Sequence, residues 1–464
     1  MVKFDFDTYL SPFTWRYGST KMRQIFSEVH KRKLWRKIWV ELARVQHEKG
    51  LVSKKELDDL IRHREDIDIE KAHKIEKEIY HDLMSEIKVY SSQCKIGGGK
   101  IHLGATSTDI IDNADIIQIK EALIIIKTGL TELLDNFAKQ IEKHQNTVCM
   151  GYTHLQPAEP TTLAYRFAFY AQDLLWDLQF IEKIESFLKG KGIKGAVGTS
   201  ASYQKLLNDI NLSAFKLEED LMKRLNLESI EVSGQTYPRK IDFFIVVALS
   251  NIAASLHKFN FDLRIMQSPN FGEWSEPRAS KRVGSSAMPF KRNPDKAEKV
   301  CSLCRHVASL LSSAWSNPAL SLLERTLDDS ANRRFFLPES FLAINECLGT
   351  TNQFIKDLVI FEDAIETNLK KYGVFSCTES LLMELVKKGA NRQDVHEVIR
   401  ENSMSAWEEV LKGNKNNLVD LLSNDKRVLK YIQKESVKDF FNPKDHIGIA
   451  KERVKRFLIK LKKR

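Results

Sequence analysis

No stretch of this chain approaches the roughly 20 consecutive apolar residues that a membrane-spanning helix needs. The start, MVKFDFDTYLSPF, lacks the basic, apolar and small-residue order of a secretory signal, so a soluble cytoplasmic protein is expected. Cysteine is sparse. The six residues (Cys94, Cys149, Cys301, Cys304, Cys347 and Cys377) are scattered, unlike the dense framework of a small secreted domain, and reduced thiols are expected. Cys301 and Cys304 form a lone C-x-x-C one helical turn apart, with no second pair to complete a zinc site, so their expected role is packing. HExxH is missing, and no His, Asp and Glu grouping has a metal-ligand spacing. The GGGK at residues 97–100 lacks the G-x-x-x-x-G-K-[ST] spacing and follows no strand-like segment, which excludes a phosphate loop of that type. Helical repeats, low-complexity tracts and heptad arrays are also wanting, and period-two alternation is scarce.

What the chain does have is length and helical periodicity. With 464 residues, 42% of them hydrophobic, it can bury a large core or form roughly two to three domains, and disorder throughout is excluded. Apolar positions recur at helical spacing over about residues 112–144, 161–188, 239–266, 295–311 and 331–361, predicting an all-α fold built on long bundle helices. Domain cuts near 111 and 363 give an N-terminal helical domain (1–111), a central long-helix bundle (112–363) and a C-terminal helical domain (364–464). The formal charge is +10, which suits an anionic partner without naming it. The final AKERVKRFLIKLKKR carries Val454, Phe457, Leu458 and Leu461 at helical spacing, and a surface helix with a solvated basic face is preferred there to a nucleic-acid site.

Three connecting segments are rich in Gly, Ser, Thr, Pro and His: KIGGGKIHLGATST, MGYTHLQPAEPTT and SKRVGSSAMPFKRNP. Each leads into the amino end of an expected helix, where unpaired backbone N–H groups and a positive partial charge favour an anion. Thr106 and Ser107 precede Asp109 with capping-box-like spacing, so capping explains them as well as anion binding does. His154 lies shortly before Pro160, Thr161 and Thr162, which look like a helix start. Asn293 and Pro294 look like an N-cap and a first-turn proline. Before them, Gly284, Ser285 and Ser286 have the composition of a mobile lid, and Lys291 and Asn293 offer donors for a carboxylate or developing oxyanion.

GSSAMPFKRNPDKAE, residues 284–298, closely resembles the signature of the fumarase/aspartase superfamily, and HLGATSTD (102–109) and GYTHLQPAEPTT (151–162) are similar to its two other active-site regions. WRYGS (15–19), SGQTYPRK (233–240), ERTLDDSANRR (324–334) and NRQDVHEVIRENSM (391–404) resemble adenylosuccinate lyases rather than fumarases or argininosuccinate lyases. The resemblance implies three helical domains around a five-helix bundle, and a homotetramer with active sites shared between subunits. It implies no metal and no organic cofactor, and elimination of fumarate from succinylated purine nucleotides. By residue matching, Ser285 would be the general base and His154 the general acid, oriented by Glu298. Arg16, Tyr17, His81, Asp82, Thr106, Ser107, Gln235, Arg325, Ser330 and Arg334 fall on substrate-contacting positions. Tyr80 stands where the family often has Arg, and Lys299 where Arg is common near the nucleotide phosphate. Lysine keeps the charge there but loses the two-point grip of a guanidinium.

Those residue types suit the chemistry. Removing a proton beside a carboxylate builds negative charge on it, so Lys291, Asn293 and backbone N–H groups would stabilise the transition state more than the substrate. A departing nitrogen needs a proton, a task for which histidine is well suited. A serine can act as base only where a closed loop stabilises its alkoxide. The alternatives are another lyase of the superfamily, such as an argininosuccinate lyase, and a non-catalytic relative that binds nucleic acid. The set Ser285, His154, Lys291, Asn293 and Glu298 argues against the latter, because nucleic-acid binding would not require it.

Overall fold

The computed structural model describes residues 5–277, 287–288 and 290–464. Helix accounts for 68% of it, in agreement with the all-α expectation. Helices Ser107–Lys143, Leu163–Glu185, Lys240–Met266, Asp295–Ser309 and Asp328–Lys356 lie on the five periodic stretches, one for each. Two compact units partition the chain: residues 1–130, 177–254 and 302–349 form the first, and residues 131–176, 255–301 and 350–464 the second.

In the first unit, helix Glu28–Glu48 starts at Ser27, whose hydroxyl accepts the His30 N–H. It buries Leu34, Trp35, Ile38, Trp39, Leu42 and Val45. Arg32 and Arg36 are buried on the same helix and converge on Glu86 of helix Asp82–Gln93 at 3.0 and 2.7 Å, while the Arg36 guanidinium lies 4.4 Å over the Tyr90 ring. The GGGK segment has a structural use. Both the Ile96 and Gly97 N–H groups donate to the Asp59 carboxylate (2.7 and 2.9 Å), so this backbone nest is filled by the protein's own anion.

In the second unit, Phe137, Phe167, Tyr170, Phe259, Trp274 and Phe354 form one aromatic cluster with ring centroids 5.1–6.5 Å apart. A separate apolar core lies between Cys377 and Phe441. Helix Ala450–Lys462 buries Ala450, Val454, Leu458 and Leu461, while Lys462 and Arg464 reach Glu142 and Asp135, both at 2.5 Å. It is thus a packed helix with a basic outer face. Helix Lys240–Met266 is long and apolar enough, by length and composition, to cross a membrane, so the expectation of no such segment needs correcting. Half of its apolar window is buried within the protein, and it packs as a core helix.

The segment expected to be a loop and helix start, GYTHLQPAEPTT, forms most of a hairpin. Val148–Thr153 pairs antiparallel with Gln156–Thr162, and the following helix begins only at Leu163. Its two-residue turn is His154–Leu155, with φ of 54° and 60°, the left-handed values a tight hairpin turn requires. A register shift occurs between Met150 and Tyr152, at Gly151, where a Cβ would stand 2.7 Å from the Glu159 carbonyl. The third segment leads into its helix where expected. Pro294 precedes the first helical residue, Asp295, and its carbonyl accepts the Glu298 N–H (2.9 Å). All six cysteines are buried free thiols; Cys304 and Cys347 pack with sulfurs 3.9 Å apart.

Candidate active site

The first unit contains a cavity of about 640 Å³, within the roughly 300–1,000 Å³ usual for small-molecule sites. Nine of the expected contact residues line it: Tyr80, His81, Asp82, Thr106, Ser107, Gln235, Arg325, Ser330 and Arg334. Their elements explain their placement. Tyr80 closes helix Ile69–Ile79 in the left-handed conformation, which turns the chain and leaves its ring exposed. His81 then caps helix Asp82–Gln93. Its Nδ1 accepts the Met84 N–H (3.3 Å), so in the neutral ring Nε2 carries the proton and donates to Ser107 Oγ at 3.4 Å.

Ser107 is the first residue of the long helix Ser107–Lys143. The Asp109 carboxylate accepts the Thr106 N–H at 3.0 Å, as the capping reading anticipated, and it also receives the buried Lys191 ammonium at 2.5 Å. Arg334, on the first turns of Asp328–Lys356, donates to Asp82 at 3.0 Å. Further along that helix, Pro338 supplies no N–H to the Arg334 carbonyl and itself lines the cavity. Arg325 is half-buried; burial lowers its pKa, Asp329 opposes this, and Arg239 adds to it.

The cavity also exposes a charged floor that sequence reasoning missed. Arg239 donates to Asp329 at 2.6 Å and to both Asp112 oxygens at 3.3 and 3.4 Å. Arg333 donates to Asp242 (2.7 Å), Asp115 (3.0 Å) and the Tyr237 hydroxyl (2.6 Å). Burial raises the Asp115 pKa, against the pull of Arg333. Arg239 and Arg333 fall inside the SGQTYPRK and ERTLDDSANRR segments, and Asp112 and Asp115 stand among Ile110, Ile111, Ile116 and Ile117 in the first turns of their helix. Acidic residues so placed are the signal that could have exposed the floor. Lys31, Trp35 and Gln118 complete parts of the wall and lie in no motif.

Of the expected residues in the first unit, Arg16 and Tyr17 are not among those lining this cavity. Arg16 is exposed beside Trp15 and Tyr17, its guanidinium 5.7 and 5.9 Å from their rings. In the second unit, His154 is exposed at the hairpin tip. Two successive non-glycine residues held at positive φ are costly, and such strain concentrates at functional positions. Glu298 is exposed in the first turn of helix Asp295–Ser309, 3.9 Å from Arg264. Lys291 is exposed, and Asn293 and Lys299 are half-buried. Ser285, with Gly284 and Ser286, lies outside the described residues.

A family model described as Lyase matches residues 21–309, and one described as Adenylosuccinate lyase C-terminus matches residues 375–457. The adenylosuccinate lyase of Schistosoma mansoni is 40% identical over 91% of this chain and 88% of its own length. The chain belongs to the adenylosuccinate lyase family. Family members of that name from Saccharomyces cerevisiae (37% identity, 98% of this chain and 95% of the relative) and Pyrococcus horikoshii (34%, 96% and 97%) match it almost end to end. Among solved structures, the fold is shared with a 3-carboxy-cis,cis-muconate lactonizing enzyme from Pseudomonas putida (TM-score 0.86, 23% identity, 97% and 99% covered). It is shared as well with a fumarate lyase from Mesorhizobium sp. BNC1 (TM-score 0.84, 22% identity, 97% and 99% covered).

Proposed function

We propose that this chain eliminates fumarate from succinylated purine nucleotides, converting adenylosuccinate to AMP and the succinylaminoimidazole carboxamide ribotide to its free carboxamide. The observation that carries the reading is the convergence of nine residues at the family's substrate-contacting positions on one cavity. Arg325 and Arg334 bring cationic donors to it, and Ser107, Gln235 and Ser330 bring neutral ones, a set suited to a substrate with carboxylates and a phosphate.

In this reading Ser285 takes the proton from the carbon beside a carboxylate, and Lys291 and Asn293 hold the charge that develops there. His154 protonates the departing nitrogen, oriented by Glu298, and Lys299 meets the nucleotide phosphate. Arg16 and Tyr17 contribute to substrate binding. The reaction needs no metal or organic cofactor. Because active sites of the family are shared between subunits, the working enzyme is a homotetramer in the cytoplasm, with domains at 1–111, 112–363 and 364–464. No membrane or nucleic-acid partner enters the reading.

A substrate panel tests it. The purified protein is expected to release fumarate from adenylosuccinate and from the succinylated carboxamide ribotide, but not from argininosuccinate. Release from argininosuccinate alone would transfer the chain to the other branch of the superfamily.

A further inference from the structure

Thr108 follows Thr106 and Ser107 and lines the same cavity, but its side chain is buried and its hydroxyl is turned to a different partner. Its Oγ donates to the Gln235 carbonyl at 2.5 Å and accepts from the Lys191 ammonium at 3.3 Å. An ammonium has three donors and no acceptor, and Lys191 spends its donors on Asp109 Oδ1 (2.5 Å), the Gly195 carbonyl (3.0 Å) and Thr108. Thr108 Oγ must therefore act as acceptor toward Lys191, which leaves its single proton for Gln235. The direction of this chain of hydrogen bonds is fixed by chemistry.

Gln235 is held from the other side too. Its N–H donates to the Glu324 carbonyl at 3.0 Å. Neighbouring glycines permit that fit: a Cβ on Gly234 would run into the Glu324 carbonyl, and one on Gly198 into the Ser233 carbonyl. The backbone around Gln235 is thus wedged between two elements, with the Thr108 hydroxyl as the side-chain group that grips its carbonyl.

We propose that Thr108 is a positioning residue for Gln235, its hydroxyl aimed by the buried Lys191 so that the Gln235 amide is presented to substrate in one orientation. The inference rests on the lyase reading for its kinetic consequence, but the structural coupling can be measured without turnover.

The test uses the full chain with Thr108→Val, which keeps the shape and removes the hydroxyl, and Thr108→Ser, which restores it. Hydrogen–deuterium exchange over residues 233–238 should quicken about tenfold in the Val variant, the scale of one lost hydrogen bond, and stay near wild type in the Ser variant. For adenylosuccinate, Thr108→Val should raise KM about tenfold with little change in kcat, the pattern of lost uniform binding. In a Gln235→Ala background the same substitution should add nothing further, because the group it positions is gone. Unchanged exchange over 233–238, or full additivity with Gln235→Ala, would overturn the proposal. If the wild type releases no fumarate, the lyase reading fails while the exchange comparison still decides the coupling. Should Thr108→Val fail to fold, Thr108→Ala, which leaves room for a water, takes its place in the same comparisons.

Discussion

His102 and Lys191 show how single residues near the cavity are used in ways their types do not announce. His102 adopts a φ of 67° and accepts the Trp39 indole N–H on Nδ1 at 3.1 Å. Burial lowers its pKa to about 4, with Asp109 opposing and His81 adding to the shift. The unfolded chain therefore binds a proton that the folded chain refuses. Stability falls as pH drops from about 6.5 towards 4 and the His102 contribution then levels off, by at most about 3 kcal/mol. Asparagine tolerates a left-handed backbone and can accept from Trp39. Urea unfolding of His102→Asn at several pH values should show a shallower loss over that window than wild type; identical slopes would remove His102 as the cause. Lys191 was invisible for a related reason. In KGKGIKG it looks like one of several solvated lysines, and only the fold brings Asp109 to meet it. The contact residues, by contrast, were legible because they sit in short polar motifs between apolar periodic stretches.

Elements were legible in proportion to their apolar periodicity. Five helices lie where the 3.6-residue pattern put them, with ends shifted by a few residues. The Ser107–Lys143 helix starts earlier than residue 112 because Asp109, neutralised by Lys191, holds the Thr106 N–H. The hairpin was not legible. Pro157 and Pro160 in its second strand argue against strand by local rule, and the tight turn uses His154 and Leu155 where glycine or asparagine would signal it. The charged floor is tied by Arg239, the residue before helix Lys240–Met266, which bridges Asp112 and Asp329 on two other long helices. Arg239→Leu would leave two buried carboxylates without their guanidinium, and a loss of about 3–5 kcal/mol is expected. Chemical denaturation measures it. A loss under about 1 kcal/mol would mean that the carboxylates find other partners or take up protons at little cost.

For the whole molecule, the all-α architecture followed from periodicity, and the family from motifs spread from Trp15 to Met404. The proposed homotetramer with shared active sites rests on resemblance alone, since contacts between subunits leave no local period in one chain. Light scattering coupled to size exclusion should give about four times the 53.5 kDa of the chain. A monomer with full activity would contradict shared sites.

The most direct measurement of the central claim is fumarate release from adenylosuccinate by the wild type and by Ser285→Ala, with substrate binding to each followed separately. The account predicts rapid release by the wild type, and a variant that binds substrate but does not turn it over. Near-normal turnover in Ser285→Ala would place the base elsewhere, and no release by a folded, oligomeric wild type would contradict the lyase reading itself.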